Sequence, residues 1–330
     1  MFEETVIRGI RFRPARFCAP LAGITHSAFR RLVAGFGGCG ALWTEMLSAK
    51  QILREDLRGS PYLRRRPEEG RVIYQLMVRD TDRLDEIIGR LSEIGPGGLD
   101  LNLACHAPVI RKLDAGSRLF EDAAGLEAVL QTVRRSWPGL LTVKIRLGRD
   151  APGWEERFAE RMRLFEESGV DAVALHPRFF EDKFKRRARH ELLPWAVSLT
   201  RLPVIANGDI TGPGSILEKP GYFENVAGVM IGRMAAARPW VFASWDRPVA
   251  VDHAGVWNRL AGYIAEDFPP DQALVRIKIF TKYYARNFRF GHGFQVAVQN
   301  APTLDAARER ADAFFSRSPA LDAEPSLMGL

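Results

Sequence analysis

The sequence predicts an α/β protein: a (β/α)8 TIM barrel followed by a smaller C-terminal helical domain. Three observations lead there. Eight short runs rich in β-branched residues recur between residues 16 and 233. Amphipathic segments, with apolar residues three and four apart, lie between them, as helices packed on a sheet require. Polar residues collect at the carboxyl ends of the runs: Glu45, Gln75, Asn102, Lys144, Arg146, His176, Arg178, Asn207, Asp209 and Arg233. In a closed barrel those ends share one face, where the loops converge on a site. A doubly wound open sheet is the competing reading of the same alternation.

The predicted strands, in order, are RFCAPLAG at 16–23, ALWTEM at 41–46, VIYQLM at 72–77, GLDLNLA at 98–104, LLTVKIRLG at 140–148, DAVALHPR at 171–178, PVIANGDI at 203–210 and GVMIGR at 228–233. DRLDEIIGRLSEIG and WEERFAERMRLFEESG are the clearest helices between them. GFGGCG at 35–40 matches G-x-G-x-x-G but follows a helix and precedes a strand. That is the reverse of the order that aims a helix N-terminus at a pyrophosphate, so it reads as a helix stop and loop.

The alternation ends near residue 245, which divides the chain into a barrel at 1–245 and a helical domain at 246–330. Within the second part, ALVRIKIFTKYYARNFRF at 273–290 contains no acid. As one continuous helix it would place Lys278, Lys282, Arg286 and Arg289 on one face and Ile277, Phe280, Tyr283, Tyr284 and Phe288 on the other. The chain has 330 residues and a formal charge of only +7, so attraction to a polyanion must come from such local clusters. YLRRR at 62–66 and KFKRRAR at 183–189 are two more. Cys18, Cys39 and Cys105 share no CxxC or metal-ligand spacing and form an odd set. Free thiols suit a reducing compartment, and the expectation is a cytoplasmic protein with no metal, acting as a monomer. The N-terminus lacks the apolar stretch of a signal peptide, and no run of 18 uncharged apolar residues suggests a membrane span.

LDLNLACHAPVIRKLDAGSRLF at 99–120 opens from a buried strand into a loop carrying Asn102, Cys105 and His106. Cys105 reads as a buried structural thiol, a nucleophile or a proton donor. His106 is a poor partner base, because adjacent residues on an extended chain point oppositely. An ordinary thiol, with a pKa of about 8.5, keeps its proton at neutral pH and can act as an acid. Gly232 and Arg233, after the last strand, suit the phosphate site that this fold commonly builds there. Lys144 could hold its ammonium against the electron-rich edge of a reduced flavin, with Gln75 bonding the ring from another strand. The alternative for Lys144 is a structural ion pair, with Asp209 as its partner.

APLAGITHSAFR, DLNLACHAPVIRKLDAGSRLF, TVKIRLG, HPR, PVIANGDI and GVMIGRMAAARPWVF together resemble the successive motifs of the tRNA-dihydrouridine synthase family, over residues 16–245 and more weakly in the tail. The resemblance implies an FMN-containing barrel that reduces the 5,6 double bond of a uridine in tRNA, with NADPH reducing the flavin and the C-terminal helices helping to hold the RNA. Pro20, Leu21 and Ala22 would border the flavin ring, with Gln75 and Lys144 bonding it. Asn207, Gly208 and Asp209 would line the cofactor, with Gly232 and Arg233 at its phosphate. Cys105 would be the general acid that protonates one uracil carbon. Asn102, Arg146, His176 and Arg178 would surround the base, His176 also counting toward the cofactor; Lys278, Lys282 and Arg286 would contact the RNA. The family motif has Gly before the cysteine and Pro after it; here Ala104 and His106 stand there, and Pro108 follows. The alternatives are a flavin oxidoreductase on another RNA or a small pyrimidine, and a non-catalytic RNA-binding relative.

Overall fold

A computed structural model describes residues 1–182, 186–323 and 325–327. Its strands are β1 Thr5–Ile7, β2 Ile10–Phe12, β3 Arg16–Cys18, β4 Ala41–Trp43, β5 Leu47–Ser48, β6 Val72–Met77, β7 Gly98–Asn102, β8 Leu141–Arg146, β9 Ala172–His176, β10 Val204–Asn207 and β11 Gly228–Ile231. β1 and β2 form an antiparallel hairpin. The rest form a parallel sheet in the order β4-β3-β11-β10-β9-β8-β7-β6, closed by a further pairing of β4 with β6, while short β5 adds to β6. Each expected run contains one barrel strand; the 72–77 run coincides with β6, and the other strands end earlier than expected. The 203–210 run stops at Asn207 because Gly208 and Asp209 take φ of +104° and +49°, outside the β region.

Period-two alternation explains the layering. Outward residues of β8, Leu141, Val143 and Ile145, join the helix-facing core, while Thr142, Lys144 and Arg146 point inward. At the amino end the interior is apolar: Phe17, Ala41, Trp43, Ile73, Leu140, Ala172, Ile205 and Met230 pack with Ile7 and Phe12 of the hairpin, which plugs that end. Polar inward residues therefore sit toward the carboxyl ends. The Ser27–Phe36 helix ends at Gly37, with φ +78°, so the glycine-rich run is the helix stop its position implies.

Helices His253–Asp267, Pro270–Tyr284, Gly291–Gln299 and Leu304–Phe315 follow the barrel. The Pro270–Tyr284 helix lies against the loop after β3: a Cβ on Gly23 would fall 3.0 Å from Ile279 and 3.3 Å from Arg276. Two clasps hold this side. Arg30 and Glu69, both fully buried, pair at 2.6 Å, and Arg30 also donates to the Thr25 and Arg64 carbonyls. Asp267 accepts from Arg64 at 2.9 Å and Arg66 at 2.5 Å. Among the described residues no helix is long and apolar enough to cross a membrane.

Candidate active site

Strand register brings the polar inward residues level with one another. Gln75 is opposite Asp100, Asp100 opposite Thr142, Asn102 opposite Lys144 and Arg146 opposite His176. All are buried. Gln75 Nε2 donates to Asp100 Oδ2 (2.7 Å), Thr142 donates to Asp100 Oδ1 (2.5 Å), and Asn102 Nδ2 donates to Gln75 Oε1 (2.8 Å). The other end of the Asn102 side chain accepts from the backbone N–H groups of Ala104 (3.2 Å) and Cys105 (2.9 Å). The Cys105 carbonyl in turn accepts from Ser117 N–H (2.9 Å). The thiol-bearing residue is thus tied on both sides and only half-buried, at the point where the barrel opens.

The surroundings of Cys105 are cationic. Burial pushes Lys144 down from 10.5 to about 8, neighbouring Arg146 adds to the fall, and Asp100 and Cys105 partly oppose it. Burial likewise lowers Arg146 to about 10. The Lys144 ammonium makes no hydrogen bond or ion pair with a described residue. His176 is held well below its ordinary value by burial and then by Lys144, Arg146, Arg178 and Arg233, so its ring is neutral. Its Nε2 lies 2.7 Å from Arg178 Nη1, a group that only donates, which assigns the proton to Nδ1. A Cβ on Gly208 would come 2.4 Å from the His176 ring, so only glycine fits beside it.

Asp209 bridges two arginines, Arg178 at 2.6 Å and Arg233 at 2.7 Å, and accepts from Ala188 N–H at 2.8 Å. Burial opposes its charge, yet the Ala188 N–H and the two guanidinium groups outweigh burial and hold the carboxyl below its ordinary value. Arg233 opens the short helix that follows Gly232, beside the loop after β3: a Cβ on Gly232 would meet Leu21 at 3.6 Å. Leu21 and Pro20 are half-buried and Ala22 is exposed, so this loop borders the mouth. Asn207 donates to the Met230 carbonyl at 2.8 Å, joining β10 to β11 just below.

The architecture occurs in known proteins. A family model described as Dihydrouridine synthase (Dus) matches residues 17–289. The chain belongs to the dihydrouridine synthase family. Relatives of this synthase include tRNA-dihydrouridine synthase B of Pseudomonas aeruginosa, 31% identical over 231 residues, covering 69% of this chain and 68% of the relative. A probable tRNA-dihydrouridine synthase of Helicobacter pylori is 26% identical over 312 residues, covering 91% of this chain and 92% of the relative. Among solved structures, a morphinone reductase mutant in complex with tetrahydroNAD superimposes with a TM-score of 0.52 at 10% identity, over 73% of this chain and 88% of that one. A variant of NCR from Zymomonas mobilis gives 0.53 at 15% identity, over 76% and 92%. Both show a shared barrel fold.

The structure of the synthase rules out one alternative and corrects the expected layout of the basic segments. Asp209 pairs with Arg178 and Arg233, not with Lys144, which rules out the alternative ion pair; the carboxylate whose charge acts on Lys144 is Asp100 on β7. Arg178 donates to the Arg186 carbonyl and to Asp209 and lies against His176, so its guanidinium is held rigidly at the mouth. The basic run at 62–66 is no open RNA surface: Arg64 and Arg66 clasp Asp267, and Tyr62 packs on Phe268. The helix carrying Lys278 and Lys282 ends at Tyr284, and a 3-10 turn carries Arg286, so the basic face does not run on to Arg289. Tyr283 also changes sides: with Lys278, Ile279, Lys282 and Gln295 it lines a groove of about 640 Å³. In the run at 183–189, residues 183–185 lie outside the described residues; Arg186 and Arg189 pair with Asp182. Asp100 and Thr142 were missed, although alternation from Asn102 and Lys144 places both inward.

Proposed function

We propose that this synthase reduces the 5,6 double bond of a uridine in tRNA, using FMN held at the barrel mouth and NADPH as the source of electrons. The observation that carries the reading is the buried Lys144 ammonium, without a hydrogen-bond partner among the described residues and within electrostatic reach of Cys105. A buried cation in that state calls for an anionic or electron-rich ligand edge. The donor set suits FMN: Lys144, the second Gln75 amide N–H and His176 Nδ1–H for the ring, and Arg233 beside Gly232 for the phosphate. Pro20, Leu21 and Ala22 would border the ring, and Asn207, Gly208 and Asp209, two strands away around the barrel, would line the cofactor. When bound, FMN supplies a hydride, restored from NADPH.

The chain's own contribution is the matching proton. Cys105 donates it to one uracil carbon, so that the double bond gains a hydride and a proton together. Lys144 and Arg146 stabilise the thiolate left behind, since both lie within electrostatic reach of Cys105. Asn102 and Arg146 orient the base. A stacked uridine cannot reach such a site, so the nucleotide is extruded, at a cost of a few kcal/mol that contacts elsewhere offset. The helical part, residues 246–330, supplies such contacts through Lys278 and Lys282 on the groove beside the barrel loop, with Arg286 exposed on the turn beyond. Two findings support tRNA as substrate: the naming of the curated relatives, and this basic groove. The direct test incubates the purified flavoprotein with NADPH and unmodified tRNA and looks for dihydrouridine in the digested RNA by mass spectrometry. A colourless protein, or tRNA left unchanged while a free uridine nucleotide is reduced, would overturn it.

A further inference from the structure

Within the barrel lies a carboxylate that the reading above does not use. Asp100 is completely buried and accepts from Gln75 Nε2 at 2.7 Å and Thr142 Oγ1 at 2.5 Å. An ionised carboxylate only accepts hydrogen bonds. Gln75 must therefore turn its nitrogen to Asp100 and its oxygen away, toward Asn102 Nδ2 at 2.8 Å. Asn102 then has its oxygen facing the loop, where the Ala104 and Cys105 N–H groups can only donate. The row thus begins at an acceptor-only group and ends at donor-only groups. Only one sense of the two amides satisfies every member; any reversal leaves buried polar atoms facing like partners.

We propose that Asp100 is a positioning residue: it sets the sense of the Gln75–Asn102 amide row and so anchors the backbone of Cys105 at the barrel mouth. Gln75 takes part twice, because the same bond that fixes its oxygen toward Asn102 leaves one amide N–H to turn toward the mouth. Burial pushes the Asp100 carboxyl up to about 6, with Thr142, Gln75 and Lys144 drawing it back, so at neutral pH the acceptor-only form predominates. The catalytic consequence rests on the reading of Cys105 as proton donor; the anchoring does not.

The test compares parent and Asp100→Ala protein, as isolated, by hydrogen exchange resolved to residues 103–106, together with the kinetics of tRNA reduction. The Ala104 and Cys105 amides have Asn102 as their acceptor, so their exchange should quicken tenfold or more while β6 to β8 stay protected. kcat should fall tenfold or more with little change in KM for tRNA, since the RNA-binding groove is untouched. Exchange at residues 104 and 105 and kcat both within twofold of the parent would overturn the proposal. If exchange rises equally across the strands, Asp100→Ala has loosened the whole barrel, and Asp100→Asn decides instead. It keeps the shape but adds an N–H donor, so the row loses its single sense; at least threefold faster exchange at 104 and 105 supports the anchor, and parent-like exchange overturns it. Should the parent fail to reduce tRNA at all, the proposed function falls, while the exchange result still decides the anchor.

Discussion

Replacing Lys144 by methionine should make the flavin-free protein more stable and the flavoprotein harder to form. The fall of the Lys144 ammonium from 10.5 to about 8, at about 1.4 kcal/mol per tenfold, makes the charged group about 3 kcal/mol more costly in the folded barrel than in the unfolded chain. Asp100 loses its neighbouring cation in the variant, which offsets part of the gain and leaves about 2 kcal/mol. With unfolding entropy of about 2.1 cal/mol/K per residue, a chain of 330 residues should show a rise of about 3 °C in Tm. The sign with pH is specific. Below about 8 both folded and unfolded parent carry the proton, and the cost is present in full. Between about 8 and 10.5 the unfolded chain binds more protons than the folded one, so the parent gains stability as pH rises, and the advantage of Lys144→Met fades. Thermal unfolding of flavin-stripped parent and variant at pH 7 and at high pH measures this, and the absorbance of each purified protein reports retained FMN, expected to be much reduced in Lys144→Met. A variant less stable than the parent at pH 7 would mean that Lys144 serves as a structural ion-pair partner, and the cationic-site reasoning would fail.

Cys105→Ala should retain FMN that NADPH still reduces, while uridine reduction slows about 100-fold or more, the scale of a lost general acid; single-turnover kinetics separate the two half-reactions. Lys278→Gln with Lys282→Gln should leave flavin content intact and make the slope of log affinity for tRNA against log salt shallower by about two, if each contacts a phosphate. Arg233→Ala should narrow the preference for FMN over riboflavin, measured by titration of the stripped protein, because the phosphate loses its cation. Arg30→Ala leaves the buried Glu69 carboxylate without its arginine and should cost about 3–5 kcal/mol, seen as a fall in the urea midpoint with unchanged m.

The eight barrel strands, the polar carboxyl ends and the helix stop at Gly37 were legible because each depends on residues near one another in the chain. Alternation within VIYQLM, GLDLN and LTVKIR settles which side chains face inward, and Gly208 marks where a strand must turn. The same alternation contained Asp100, but its meaning did not show, since its partners Gln75 and Thr142 are 25 and 42 residues away and meet it only through strand register. Charge was the least legible property. YLRRR looks like an open basic loop until Asp267, some 200 residues on, folds against Arg64 and Arg66. Asp209 could equally have faced Lys144, and only the path of the chain after β9 brings Arg178 to it instead. Local pattern determines which face a side chain takes, because backbone geometry repeats over a few residues. Which opposite charge or amide it finds there is decided by tertiary packing, because a buried polar group must be satisfied by whatever distant segment the fold places within hydrogen-bond reach.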